Sequence, residues 1–238
     1  MGYQKATQIT AWSFSRYSTY KQCPQKAKYL YIDKLKEPSS EALENGARVH
    51  DLAEKYIKGQ IRVLPPELKR FADDFKAHRK QYSKAIHGMV VEDQWAFTNT
   101  WTETAWNDWV KCWVRIKIDC AHHIDEETLR VRDWKTGKFR ENMNEEYIEQ
   151  LELYALSSLM LHPHIKKVQV ELVYLDQGLV YPPADKPMIF NREDIPRLKK
   201  LWEKRVTPML KDKRFAPRAN DKCRWCHFSK AKGGPCKF

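Results

Sequence analysis

The chain has 238 residues, enough for one good-sized domain with a buried core and too few for two independent catalytic domains. Its 43 basic residues against 31 acidic ones leave a net charge of +12, which favours a polyanionic partner, either nucleic acid or an anionic membrane surface. No apolar run approaches the roughly 20 residues of a spanning helix, and the N-terminus MGYQKATQITAW lacks the apolar stretch of a secretory signal; the expectation is a cytoplasmic protein that meets nucleic acid and not a membrane.

In chain order, the pattern begins with helices. Ser15 is placed to cap a short helix running toward Cys23-Pro24, and a second helix fits Glu41 to Lys58, where Leu43, Ala47, Val49, Ala53 and Ile57 make an imperfect apolar stripe. Pro65-Pro66 opens a charged helix, PELKRFADDFKAHRKQY. From Gly88 the period changes to two: VVEDQWAF, WVKCWVRIKIDC and TLRVRDWKTG read as three strands, the last two joined by a polar turn from His123 to Glu127. A helix from about Asn144 to Leu161 stops at His162-Pro163, the strand KKVQVELVYL follows, and Ile195 to Lys211 forms a last long helix. The fold class is mixed α/β, a central sheet flanked by helices. With no internal repeat, low-complexity tract or Gly/Ser linker, residues 1–238 read as a single domain.

The central strands carry the chemistry. Period two puts Val110, Cys112, Val114, Ile116, Ile118 and Cys120 on a core face, and Trp109, Lys111, Trp113, Arg115, Lys117 and Asp119 on a basic, aromatic face that ends in a carboxylate. In the next strand Asp133 and Lys135 leave one face while Trp134 points the other way. If the two strands pair as a hairpin, Asp119 comes near Asp133 and Lys135. Converging carboxylates suit Mg²⁺ or Mn²⁺, and a neighbouring lysine can orient or deprotonate an attacking water or stabilise charge on a phosphate.

Taken together, the ordered motifs SFSRYSTYKQCP, GARVHDLAE, RIKIDC, VRDWKTG, QLELY and the C-terminal cysteines span nearly the whole chain. In that order they resemble the RecB-like nucleases of the PD-(D/E)XK superfamily, and more narrowly the four-cysteine branch that includes the CRISPR-adaptation nuclease. The resemblance implies a restriction-endonuclease-like core in which His50, Asp119 and Asp133 are metal ligands, the backbone carbonyl of Trp134 completes the shell, and Lys135 is the catalytic lysine. Gln150 and Tyr154, one helical turn apart, match the family's Q-x-x-x-Y and are expected to contact DNA near the scissile phosphate. Glu54 and Glu92 are further acidic candidates ranked below this set, the orientation of Glu92 being left open by strand alternation. Tyr17 stands where the family often has leucine, and the Cys-Pro is followed by Gln-Lys-Ala-Lys-Tyr and not by a phenylalanine-bearing stretch, which weakens the subfamily more than the chemistry.

Six cysteines without an export signal point to metal or redox chemistry for those that cluster. Cys223, Cys226 and Cys236 crowd the C-terminus, and three thiolates do not close a tetrahedral or cubane site. The resemblance supplies Cys23 as the fourth ligand and a [4Fe-4S] cluster as the group held, with residues 1–40 and 214–238 forming a cysteine-cluster subdomain. Four thiolates suit Zn²⁺ as well, which stays open as the alternative. Cys112 and Cys120 are expected to be small buried hydrophobes.

Trp113, beside Lys111, Arg115 and Lys117, is a candidate for stacking on unpaired bases, and Arg16 for contacting phosphate. The expected function is metal-dependent hydrolysis of phosphodiester bonds in DNA, acting on ends or single strands in recombination or repair. No G-x-x-x-x-G-K-[ST] loop is present, so unwinding would fall to a partner, a helicase or recombination protein. The alternatives are a structure-specific endonuclease of the same superfamily and a non-catalytic, zinc-containing nucleic-acid-binding module.

Overall fold

A computed structural model describes residues 7–84 and 88–238, apart from the side chains of residues 143 and 144. The helices are α1 (Phe14–Gln22), α2 (Pro24–Tyr31), α3 (Glu41–Ile57), α4 (Ala72–Ser83), α5 (Asn144–Leu161) and α6 (Ile195–Lys211). The strands are β1 (Val90–Phe97), β2 (Val114–His123), β3 (Thr128–Lys135), β4 (Lys167–Tyr174), β5 (Leu179–Tyr181) and β6 (Met188–Asn191). They form one mixed sheet in the order β1-β2-β3-β4-β5, with β6 also paired to β4. The β1, β2 and β3 neighbours run antiparallel, whereas β3 and β4 run parallel. A parallel neighbour needs a crossover, and α5 supplies it.

Each face of the sheet is covered by its own apolar cluster. On one side Leu151, Leu153, Tyr154 and Leu156 of α5 and Leu198, Trp202 and Val206 of α6 pack on Val131, Val170 and Leu172. On the other, Val49, Ala53, Tyr56 and Ile57 of α3 and Phe75 of α4 pack on Trp134 and Val173. The Asp133/Trp134 alternation read from the sequence is thus realised, with Trp134 buried under α3 and α4. No helix among the described residues is long and apolar enough to cross a membrane.

Several local expectations are corrected. Ser13, not Ser15, caps α1, its hydroxyl accepting from the Arg16 N–H at 3.4 Å. Pro24 does not merely end that helix but occupies the first turn of α2, where its missing N–H costs nothing. The charged segment after Pro65 starts as a 3₁₀ turn, Pro66–Phe71, before α4 begins. The strand expected from Trp109 begins only at Val114, because the Asp108 carboxylate accepts from the N–H groups of Val110 (3.1 Å) and Lys111 (2.9 Å) and folds that stretch into a turn. The face expected to carry Trp109, Lys111 and Trp113 in one row therefore does not form.

Candidate active site

Five elements converge on one end of the β2–β3 pair. From α3 comes His50, one turn after Gly46, and a Cβ at Gly46 would stand only 3.3 Å from Thr136 Oγ1. Glycine there lets the helix approach the end of β3 closely. Leu43 and Ala47, expected in the apolar stripe of α3, are exposed and border the resulting cleft.

Asp119 and Glu92 arrive through a break in the strands. The β1–β2 pairing keeps one register on both sides, Val91 opposite Cys120 and Asp93 opposite Ile118, which sets Glu92 across from Asp119. Yet Val91 and Trp95, four residues apart, pack into opposite clusters, and so do Cys120 and Ile118. The alternation is thus reversed at the same point in both strands. Glu92 carries a φ of +53°, a left-handed conformation that costs a non-glycine residue about 1–2 kcal/mol. That backbone turn re-aims its carboxylate. The sequence expectation that Cys120 shares a face with Ile118 is corrected accordingly, although Cys112 and Cys120 are both buried as expected.

The side chains then interlock. His50 Nδ1 lies 2.9 Å from Glu92 Oε1 and 3.4 Å from Asp119 Oδ1, while His50 Nε2 donates to the Trp134 carbonyl at 2.8 Å. The Trp134 N–H donates to Asp119 Oδ2 at 2.7 Å. Asp133 Oδ1 accepts from the Tyr154 hydroxyl (2.6 Å) and from Gln150 Nε2 (3.2 Å), and Lys135 Nζ donates to Gln150 Oε1 (3.2 Å). Lys135 Nζ is also 2.5 Å from Asp133 Oδ2, a buried ion pair.

Electrostatics follow from burying this many charges together. Burial opposes a charge on His50, but the adjacent Asp119 and Glu92 outweigh it and raise its pKa to about 10. Burial and the nearby Asp133 raise Asp119, against the pull of His50. Burial would lower Lys135, yet Asp133 and Asp119 hold it above the ordinary lysine value. Glu92 goes down, burial being overcome by His50 and by Lys117, whose Nζ is 2.6 Å from Glu92 Oε2.

This donor set fits a hard divalent cation. Ligand atoms of His50, Glu92 and Asp119 lie within 4.8 Å of one another, and the Trp134 carbonyl touches the same imidazole. Carboxylates, a carbonyl and one imidazole match the oxygen-rich preference of Mg²⁺ or Mn²⁺.

A sequence profile of the PD-(D/E)XK nuclease superfamily matches residues 11–231. The chain belongs to the PD-(D/E)XK nuclease superfamily. Nucleases of this superfamily act on DNA and use divalent metals such as Mg²⁺ or Mn²⁺, so the broad expectation of a metal-dependent nuclease on a mixed α/β core holds. Two solved structures resemble it at low identity. The crystal structure of SSO0001 is 15% identical with a TM-score of 0.43, covering 97% of this chain and 89% of that one. That of a candidate exonuclease from Eubacterium rectale is 11% identical with a TM-score of 0.49, covering 96% and 89%. No curated protein matches the sequence.

Among the residues singled out from sequence, His50, Asp119, Asp133, Trp134, Lys135, Gln150 and Tyr154 come together. Glu92, ranked below them, stands at the centre of the group. The signal was its place opposite Asp119 once the hairpin register is drawn. Glu54 borders the cleft but is paired with Lys58 at 2.6 Å. Arg16 sits in a second groove that reaches Gln150 and Tyr154 and is also lined by Trp106, Arg115 and Lys117. Trp113 lies apart from both, half-buried and edge-on to Trp12 and Trp101 at 5.3 Å each.

At the far end of α1, Cys23, Cys223, Cys226 and Cys236 line one pocket. The Arg218 N–H points at Cys23 Sγ (3.5 Å) and the Asn220 N–H at Cys223 Sγ (3.4 Å), while the Tyr29 and Phe228 rings meet at 5.2 Å. Gly234 is required in this loop, since a Cβ there would fall 2.3 Å from the Phe228 backbone. Four thiol groups around one pocket, with backbone N–H groups aimed at sulfur, fit a thiolate-bound metal group.

Proposed function

We propose that this nuclease hydrolyses phosphodiester bonds at DNA ends or in single strands, with His50, Glu92, Asp119, Asp133 and the Trp134 carbonyl holding Mg²⁺ or Mn²⁺. The observation that carries it is the meeting of three carboxylates, one imidazole and one carbonyl beside the Lys135 ammonium. A divalent ion held there supplies Lewis-acid activation of the phosphate and of water. Lys135, fixed between Asp133 and Gln150, orients the attacking water or neutralises charge that builds on the phosphate. Gln150 and Tyr154 fix Asp133 from α5 and line the groove proposed to carry the strand being cut. The groove continuing past them toward Trp106, Arg115 and Arg16 combines a ring with cationic groups, the chemistry of an unpaired-strand path.

The cysteine quartet is proposed to hold a [4Fe-4S] cluster that joins residues 1–40 and 214–238 into one subdomain, as in the four-cysteine branch. Zinc is the competing occupant of the same thiolates. A recombination or repair setting, with unwinding by a separate helicase, completes the proposal.

The test uses end-labelled linear DNA with Mn²⁺, comparing wild type with Asp133→Ala and Lys135→Ala. Both variants are expected to lose activity by at least about a thousandfold, in the range set by removing a group that acts in the transition state. Equal degradation by all three proteins would assign the activity to a contaminant and remove the assignment. Circular single-stranded DNA separates the modes, since only an endonuclease opens it.

A further inference from the structure

On the sheet face opposite α5, next to Asp119 along β2, three side chains with softer donor atoms converge. His78 of α4 and Cys120 and His122 of β2 are all buried, and their ligand atoms lie within 4.8 Å of one another. Cys120 and His122 are two residues apart beyond the strand break, opposite Arg132 and Arg130 in the register, which gives them one face. Cys120 Sγ is 4.0 Å from His122 Nδ1, and the imidazoles of His78 and His122 meet with centroids 4.6 Å apart.

The decisive atom is His78 Nε2. His78 Nδ1 lies 2.8 Å from the Asp74 carbonyl oxygen, which can only accept, so the ring's proton belongs on Nδ1 and the lone pair on Nε2. That Nε2 is buried and has no hydrogen-bond partner, in a residue only 6% exposed. A core histidine that serves only packing would leave this acceptor unsatisfied at a real cost. A carbonyl fixing one ring nitrogen so that the other is free is the usual support of a metal-binding histidine.

We propose that His78, Cys120 and His122 form a second cation site, for Zn²⁺ or a similar borderline transition ion, which staples α4 to the sheet beside the catalytic carboxylates. Two imidazoles and a thiolate are softer than the catalytic carboxylate set, so Mg²⁺ is not its ligand. Zinc bonds of about 2.0–2.1 Å to nitrogen and about 2.3 Å to sulfur set ligand atoms about 3.5 Å apart, a small closure from the separations present. Burial keeps His78 and His122 neutral, pulling them down to about 4 and about 2, and neutral is the ligating form of imidazole. Binding transfers the Cys120 thiol proton to solvent. The neighbouring positive charge is already matched, since Arg132 pairs with Asp74 at 2.8 Å and with Glu171, and Arg130 stands 3.8 Å from Glu171.

Anomalous diffraction from zinc-incubated crystals of the full chain, recorded on both sides of the zinc absorption edge, locates each bound ion separately. A peak between His78, Cys120 and His122 is expected; peaks confined to the carboxylate site or the C-terminal cysteines would overturn the proposal. In solution, after brief EDTA treatment, wild type is expected to keep one more zinc per chain than His78→Gln, and zinc to raise the melting temperature of wild type but not of the variant through this site. Equal zinc content would also overturn it. If His78→Gln does not fold, the wild-type map alone decides.

Discussion

Glu92 shows how much of this site depends on single residues. Its left-handed backbone would relax in an ordinary strand, and it is held by His50 on one side and Lys117 on the other. Removing only the charge, as Glu92→Gln, keeps the volume and tests whether that carboxylate serves the metal. About 10- to 100-fold more Mn²⁺ should be needed for half-maximal cleavage, the usual penalty for disturbing a group at a metal site. An unaltered Mn²⁺ dependence would make Glu92 a structural partner of His50 and nothing more. The tryptophans separate by the same reasoning. Trp113 sits in an edge-on aromatic group with Trp12 and Trp101, whereas Trp106 lines the groove beside Arg115. Trp106→Ala is predicted to weaken binding of single-stranded DNA by about 1–3 kcal/mol, the range for one stacked base. Trp113→Ala should leave that affinity alone and cost stability, by up to about 3 kcal/mol for a half-buried ring. A fluorescence-anisotropy titration beside a thermal melt distinguishes them, and the reverse pattern would restore Trp113 to the DNA path.

At the scale of elements, most of the fold was legible because long periodic segments announce themselves. β1, α5 and α6 begin and end where the sequence pattern puts them, and the D-x-K strand presents Asp133 and Trp134 to opposite faces as alternation requires. What was hidden had physical reasons. β5 and β6 span 3 and 4 residues, too short for a period to register. The start of β2 was masked by apolar Val110 and Cys112, which Asp108 gathers into a turn, its carboxylate accepting from the Val110 N–H and its backbone carbonyl from the Cys112 N–H. The reversal at Glu92 and Asp119 is invisible to any rule that assumes strict alternation, and it is the feature that gathers the carboxylates. The fit of α3 against β3 is tested at Gly46. Gly46→Val adds branched bulk toward Thr136 Oγ1, already 3.3 Å from a bare Cβ, and is expected to move α3 and His50 away from the Trp134 carbonyl. Cleavage should fall by about a hundredfold for a displacement of roughly 1 Å, with far-ultraviolet circular dichroism unchanged. Full activity would mean that the helix has room to spare.

Across the whole molecule, the cysteine pocket and the catalytic face are linked through α1 and α5. Cys23 closes α1, and α1 is tied to α5 by polar contacts that include Tyr17 to Glu149 at 3.0 Å, Ser18 to Glu146 at 2.5 Å, and Lys21 to Glu149 at 2.9 Å. Glu149 is the immediate neighbour of Gln150, which holds both Asp133 and Lys135. A metal group on the cysteine quartet would therefore anchor the helix that aligns Asp133 and Lys135. If the group is an iron-sulfur cluster, purified wild type should be brown, absorbing near about 400 nm as iron-thiolate centres do, and Cys226→Ser should lose the colour. The same variant should melt several degrees lower, because a cross-link between distant parts of the chain restricts the unfolded state. Its cleavage rate should drop more than its half-saturation by Mn²⁺ shifts, since Glu92 and Asp119 sit on β1 and β2 and only Asp133 is held from α5. A colourless wild type carrying one zinc per quartet would replace the cluster with zinc but leave the anchoring argument standing. A variant that melts and cuts like wild type would break the link between the chain ends and catalysis.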